Sequence, residues 1–402
     1  MPSSRPAGTP VAITHAFRTP IGRFMGSLSE LSAADLGASV TRDLLQRAGI
    51  EAREVGELIF GNARQAGGGP NVARQISVRA GIGVETPAWT VNMACGSGLK
   101  AIGLAADSIR CGRAQVVVAG GTESMSRLPF MLPNMRKGYR LGHAPVVDGM
   151  YLDGFCCPLS DMLMGETADK LARELSIPRE AQDAYALESQ RRCQAAQDQG
   201  RFDAEICPVT VETRQGELEV TRDEHPRRDS RIEDMARLKP VFDPEHGTVT
   251  AGNASGITDG AAALLLMSAE RAKALGLAPL AWVGAASEAG VEPDVMGIGP
   301  VPAVRRLSEM NGRTPADYDL IELNEAFAAQ VLACDRELDL PADRLNVNGG
   351  AIALGHPIGA TGARIAVTLL HEMQRRGVEH GLATLCISGG LGLASAFQRS
   401  AP

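Results

Sequence analysis

The sequence predicts an α/β layered fold built from two related halves, and three features carry that expectation. Short β-branched runs alternate with longer alanine- and leucine-rich stretches, the pattern of strands and helices stacked in layers. Two runs, Val116–Ala119 and Leu385–Ile387, read as buried strands, and glycine pairs follow them at Gly120–Gly121 and Gly389–Gly390. An order of elements also recurs. From Val91 it is a strand end with Asn92, a glycine-rich turn, a helix, and a strand into Gly120. From Asn346 it is a strand with Asn348, a glycine-rich turn, a helix, and a strand into Gly389. Two such halves would bring both glycine-rich turns together.

The middle third breaks this pattern. Residues 126 to about 257 hold most of the prolines, aromatics and charge clusters, and read as an insertion carried by the first half. Within it, Ala168–Gln199 predicts one helix starting near Glu166–Thr167, and the charged stretch Arg214–Lys239 predicts exposed surface.

Composition narrows the function. A chain of 402 residues with 44% hydrophobic and 22% charged residues is that of a compact enzyme with two or three domains. The net charge of −7 argues against general nucleic-acid binding, which needs a basic excess. The most apolar run, Ala261–Met267, is far short of the roughly 20 residues a membrane span requires. The first ten residues lack the apolar core of a secretory signal, and the C-terminus is no peroxisomal address, so a cytoplasmic location is expected. Eight cysteines without a C-x-x-C pair suit a reducing compartment. Cys111, Cys193, Cys207 and Cys334 read as packing residues, and Cys156 and Cys157 have no assigned chemistry. Gly81-Ile-Gly83 is not followed by the third glycine of a dinucleotide fingerprint, and no glycine loop carries a phosphate-binding lysine. No metal site and no tightly bound cofactor is expected.

Four segments carry candidate chemistry. Cys95 follows a strand in a small-residue turn, just before a helical run from Leu99 to Arg110. The helix dipole there would lower the thiol pKa, and Gly96 and Gly98 would let a substrate approach the backbone. The alternative is a buried cysteine in a tight turn. His356, between Gly355 and Pro357, sits on a constrained turn where it could serve as base or oxyanion donor, or simply bond to backbone. Cys386, before Ser388 and two glycines, reads as a strand-tip or core cysteine. Asn324 reads as the cap of a helix through Ala328.

Taken together and in this order, these segments resemble the thiolase family: the nucleophile turn at Cys95, Asn324-Glu-Ala-Phe-Ala328, the loop Gly355-His356-Pro357, and the loop Cys386-Ile-Ser-Gly-Gly390. Arg18–Gly22, Gly120–Met125 and Thr248–Gly256 extend the resemblance, which runs from Val11 to about Phe397. It implies two βαβαβαββ halves in a five-layered αβαβα core with an inserted loop domain. The implied domains are residues 1–125 with 258–279, the loop domain 126–257, and 280–402.

The resemblance also implies a chemistry and its residues. Cys95 would take an acyl group from coenzyme A, helped by His356, while Cys386 moves protons to the leaving thiolate and from the second substrate. Enolate stabilisation would fall to His356 and a water held by Asn324. Backbone N–H groups of Cys95 and Ser388 would form a second oxyanion hole. Ser388 departs from the glycine common in biosynthetic thiolases. Arg227 and Arg228 lie where the family binds the adenine end of coenzyme A. Ser255 matches a pantetheine contact, and Ala251 belongs to the same binding set. Met164, Met296 and Phe327 resemble short-chain acetoacetyl-CoA thiolases, whereas Leu163 replaces a histidine usual there and resembles the degradative ketoacyl-CoA type.

The expected activity is acetyl-CoA C-acetyltransferase, with coenzyme A thioesters as substrates. The alternatives are a broader-chain 3-ketoacyl-CoA thiolase of fatty-acid degradation and a non-catalytic lipid-binding relative. Leu128–Asp153 resembles the family's tetramerisation loop, with Phe130, Met131, Leu132 and Met135 as its apolar surface, so a homotetramer is expected.

Overall fold

A computed structural model describes residues 8–402. Among them, a path of nine strands forms one mixed sheet: β1 (Val11–Arg18), β2 (Glu57–Gly61), β3 (Ala88–Val91), β4 (Val116–Ser124), β5 (Thr258–Ser268), β6 (Ala281–Gly290), β7 (Leu320–Leu323), β8 (His380–Ile387) and β9 (Leu391–Gln398). Their spatial order is β7-β8-β9-β6-β1-β5-β4-β2-β3. The path divides at β6 and β1, which share only the pairs Ala12↔Trp282 and Ile13↔Ala281.

The two halves have one topology. Counted along the chain, the first runs 3-2-4-5-1, with parallel pairs β3–β2 and β2–β4 and antiparallel pairs β4–β5 and β5–β1. The second repeats this with β7–β8 parallel and β8–β9 and β9–β6 antiparallel. Its third strand shrinks to a parallel bridge between Ile321 and Leu345. The repeat read from Val91 and Asn346 is therefore a repeat of topology.

Seven helices matter for the site: α1 (Ala33–Ala48), α2 (Ser97–Arg110), α3 (Met164–Glu174), α4 (Arg179–Asp198), α5 (Pro300–Asn311), α6 (Ala328–Leu338) and α7 (Ile358–Arg376). Strand alternation assigns the layers. Leu58, Phe60, Val116, Val118 and Leu265 face α1, packing on Leu36, Val40 and Leu44. Ile59, Val117, Ala119, Leu264 and Leu266 face inward onto α2 and α7, which also take up Ala383, Leu385 and Ile387 of the second half. Leu382, Ala394 and Ala396 turn outward onto Val301, Val304 and Leu307 of α5 and Val331 of α6. The result is five layers, αβαβα, with α2 and α7 at the centre.

These central helices cross at glycine. A Cβ on Gly98 would lie 2.7 Å from the Ala363 backbone N, and one on Gly362 would lie 2.4 Å from the Leu99 backbone N. Both glycines lie within the first turns of their helices, so the two N-termini converge.

The insertion between β4 and β5 corrects two expectations. Ala168–Gln199 is two helices, α3 and α4, because Pro178 cannot continue a helix and stands as the N-cap of α4. Arg214–Lys239 is largely exposed, but its Asp223 is buried and chelates Arg18, which also bonds Glu205 at 2.6 Å. That pair ties the insertion to the end of β1.

Replacing Gly362 with alanine tests the crossing. Helix propensity favours alanine by about 1 kcal/mol, but overpacking against unyielding backbone costs about 1–3 kcal/mol. Gly362→Ala should lose about 1 kcal/mol or more in urea unfolding, the sign opposite to propensity.

Candidate active site

The nucleophile turn is strained and held from both sides. Ala94 has φ 43°, a left-handed conformation uncommon for a residue with a Cβ. Asn92 Oδ1 accepts from the Ala94 N–H at 3.0 Å, and the Ser97 hydroxyl donates to the Ala94 carbonyl at 2.6 Å while accepting from Met93 N–H. Gly96 packs closely on Ile387, at the tip of β8, whose Cδ1 would lie 2.6 Å from a Cβ there. The turn carrying Cys95 thereby packs against the strand carrying Cys386.

His356 enters from the second half. Its backbone N–H donates to the Gly256 carbonyl, and its Nδ1 lies 2.6 Å from the Thr361 hydroxyl. That hydroxyl donates its one proton to the Pro357 carbonyl, so it accepts from Nδ1–H. The neutral ring is left with its lone pair on Nε2. Burial, then the charges of Arg364 and Arg64, pushes the His356 pKa down to about 3, keeping the imidazole neutral.

Glu123 clamps the two halves. Buried at the end of β4, it accepts from Asn62 Nδ2 at 2.6 Å and from the backbone N–H groups of Ala63, Arg64 and Gly359, the last in the first turn of α7. Burial pushes its pKa up to about 7 against the opposing charge of Arg64 and these donors. Asn92 Nδ2 donates to the Ala63 carbonyl, extending the clamp to the nucleophile turn.

Cys95, His356, Cys386 and Ser388 line one cavity of about 250 Å³ with Leu163, Met164, Ser255, Met296 and Phe327. The expectation that the helix start would lower the Cys95 pKa is corrected, because burial raises it. The Arg64 charge and N–H groups of Ser388 and Cys95 itself oppose that rise only in part. Burial also raises Cys386 strongly. Both thiols rest protonated. The N–H groups of Ser388 and Cys95 are the same two that the sequence reading expects to form an oxyanion hole. Ser388 lies outside the positive-φ region occupied by Gly389 and Gly390, so its side chain strains no backbone.

Other expected residues fall elsewhere. Asn324 caps no helix, since α6 begins at Ala328 behind Phe327. It is buried beside Thr384, and neither polar atom of its amide has a hydrogen-bond partner among the described residues. Arg227, Arg228 and Ala251 line a separate cavity of about 380 Å³, where Arg228 pairs with Asp198. Ala251 and Ser255 bracket one short segment between the two cavities. Cys156 and Cys157 pair with Leu163 and Met162 in a short hairpin. Both cysteines line one further cavity with Ser388 and Gly389, so the hairpin lies near that loop.

Several functional positions escaped the sequence reading. Arg64, Tyr151, Phe155 and Phe242 complete the cavity wall, and Thr361 sets the imidazole. Thr361 alone had a usable signal, lying five residues past His356 in the first turns of a helix.

Residues 11–270 match the thiolase N-terminal domain and residues 277–399 the thiolase C-terminal domain, so the chain belongs to the thiolase family. An acetyl-CoA acetyltransferase of Pseudomonas aeruginosa is 53% identical over 390 residues, 97% of this chain and 99% of its own. One from Escherichia coli is 51% identical, covering 96% of this chain and 98% of its own. Among solved structures, the Bacillus anthracis acetyl-CoA acetyltransferase matches with TM-score 0.96 and 45% identity, covering 98% of this chain and 100% of that one. Human mitochondrial 3-ketoacyl-CoA thiolase matches with TM-score 0.94 and 40% identity, covering 98% and 99%.

Thr361→Val should leave the fold intact and lower kcat/KM on the order of tenfold, the worth of one lost hydrogen bond of about 1.4 kcal/mol. Steady-state rates beside a circular dichroism melt check both halves of that statement. An unchanged rate would remove Thr361 from the site.

Proposed function

We propose that this thiolase is an acetyl-CoA C-acetyltransferase, joining two acetyl-CoA into acetoacetyl-CoA and CoA and running the reverse thiolysis. The convergence of Cys95, His356 and Cys386 on one cavity, lined also by Ser388, carries this reading. Close relatives named acetyl-CoA acetyltransferase support it.

The chemistry follows from the resting states. The Cys95 proton passes to the His356 Nε2 lone pair as its sulfur attacks the acetyl carbonyl. The thiolate and imidazolium form as a pair, which lessens the cost of each buried charge. The carbonyl oxygen develops charge against the N–H groups of Cys95 and Ser388, and Cys386 protonates the departing CoA thiolate. The resulting Cys386 thiolate takes the α-proton of a second acetyl-CoA. His356, now carrying Nε2–H, and a water on the unpartnered Asn324 amide hold the enolate oxygen. The enolate carbon attacks the Cys95 thioester, and Cys95 leaves.

Coenzyme A would run from Ser255 in the catalytic cavity to Arg227, Arg228 and Ala251 in the outer one. The thioesters are substrates, and no tightly bound cofactor is needed. We assign binding and assembly to residues 126–257, between domains formed by 1–125 with 258–279 and by 280–402. Phe130, Leu132, Met135 and Leu141 are exposed there, and a homotetramer would cover them. Met131 is instead half-buried. None of the described helices is long and apolar enough to cross a membrane. A cytoplasmic enzyme of fatty-acid metabolism suits these features.

Incubation with labelled acetyl-CoA should acylate Cys95, and Cys95→Ala should abolish that label while preserving the fold. Cys386→Ser should keep some Cys95 acylation but lose condensation, because a hydroxyl is a poor substitute base. Label on another cysteine, or near wild-type condensation by the serine variant, would overturn the roles.

Chain length is the second test. Met164, Met296 and Phe327 close the cavity, and each methylene without room forfeits about 0.8 kcal/mol of burial. The kcat/KM ratio of acetoacetyl-CoA over 3-ketooctanoyl-CoA should lie well above one. A ratio well below one would make Leu163 decisive and the chain a broader 3-ketoacyl-CoA thiolase.

A further inference from the structure

Arg64 is the one permanently charged side chain in the wall of the catalytic cavity. Among the described residues no carboxylate lies in ion-pair contact with its guanidinium, and its buried Nε has no hydrogen-bond partner. The nearby acid, Glu123, is occupied by the Asn62 amide and by backbone N–H groups, Arg64's own included. The guanidinium has a seat. It lies over Gly154, where a Cβ would come within 2.5 Å of Nε and 2.8 Å of Cζ. Its neighbour Ala63 shares an apolar cluster with Cys95 and Phe155, which places the charge at the nucleophile's end of the cavity.

A half-buried cation outside ion-pair contact is costly; Glu123 acts on Arg64 only through space, and among the described residues the cavity wall itself carries no carboxylate. In the free enzyme Cys95 rests protonated and supplies no counter-charge. Once Cys95 is acylated its sulfur is neutral, and the partner must come with the acyl group.

We propose that Arg64 binds the far carboxylate of a dicarboxylic acyl group, so that the cavity accepts 3-ketoacyl-CoA thioesters ending in a carboxylate. This deepens the acetyltransferase reading and rests on it. In thiolysis the Cys95 sulfur bonds to C3 as the C2–C3 bond breaks, and C2 takes a proton from Cys386 to leave as acetyl-CoA. A CoA thiol then gives its proton to the Cys386 thiolate and displaces Cys95, releasing the dicarboxylic acyl-CoA. The planar guanidinium fork would hold the far carboxylate through two hydrogen bonds, strengthened by the dry surroundings.

The test compares thiolysis of two six-carbon 3-ketoacyl-CoA esters, one ending in a carboxylate and one in a methyl group, with acetoacetyl-CoA as control. The wild-type kcat/KM ratio of carboxylate over methyl ester should exceed one. Arg64→Leu should lower that ratio by about tenfold or more, and Arg64→Lys by less, since lysine keeps charge but loses the fork. The ratio cancels any effect of Arg64 on Cys95 itself. A wild-type ratio below one, or a ratio unmoved by Arg64→Leu, overturns the proposal while acetoacetyl-CoA cleavage leaves the acetyltransferase reading standing. Failure to cleave acetoacetyl-CoA overturns that reading and this inference with it.

Discussion

The approach of α2 to α7 through Gly98 and Gly362 is the contact on which the site depends. Each helix is preceded by a turn carrying one reactive group, Cys95 or His356. Side chains at the crossing would separate the helices by ångströms, and proton transfer between the two groups tolerates no such gap. The αβαβα layering follows from the same contact. Two central helices must be covered on both sides by sheets, and those sheets need helices on their outer faces.

Around that contact the structure sets charge against burial. Cys95 and Cys386 are raised by burial and His356 is lowered by it, so the three groups rest neutral in an apolar cavity. Reactivity then lies in pairing, since each charge appears beside its partner or a fixed donor. Glu123, whose pKa burial lifts to about 7, and Arg64 are two more ionisable groups beside this cavity. Glu123 is matched by donors from both halves, so it fastens them together. Arg64 is matched by none of the described carboxylates, which separates a structural ion from one free for a ligand.

The insertion completes the wall and leaves the core intact. Its anchor at Arg18 uses two buried carboxylates, Glu205 and Asp223, from separate stretches of the inserted chain. Its hairpin at Cys156–Leu163 lies beside the Ser388 loop, while Phe155, Leu163 and Phe242 line the acyl cavity. Acyl preference can therefore change through inserted residues without disturbing the catalytic turns.

Local pattern was enough for the layered class, the repeat, and the turns at Cys95, His356 and Cys386, because strand alternation and glycine-rich turns are short-range features. It failed where neighbours distant in the chain decide the outcome. Asn324 reads as a cap from its own surroundings, yet strand packing buries its amide unpartnered. The helix start at Cys95 suggests a lowered pKa, yet burial by both halves reverses the sign. Arg64 is an ordinary loop arginine in sequence, and only the fold seats it on Gly154 beside the nucleophile. Dielectric environment and through-space distance are properties of the assembled layers, and no local spacing of residues encodes them.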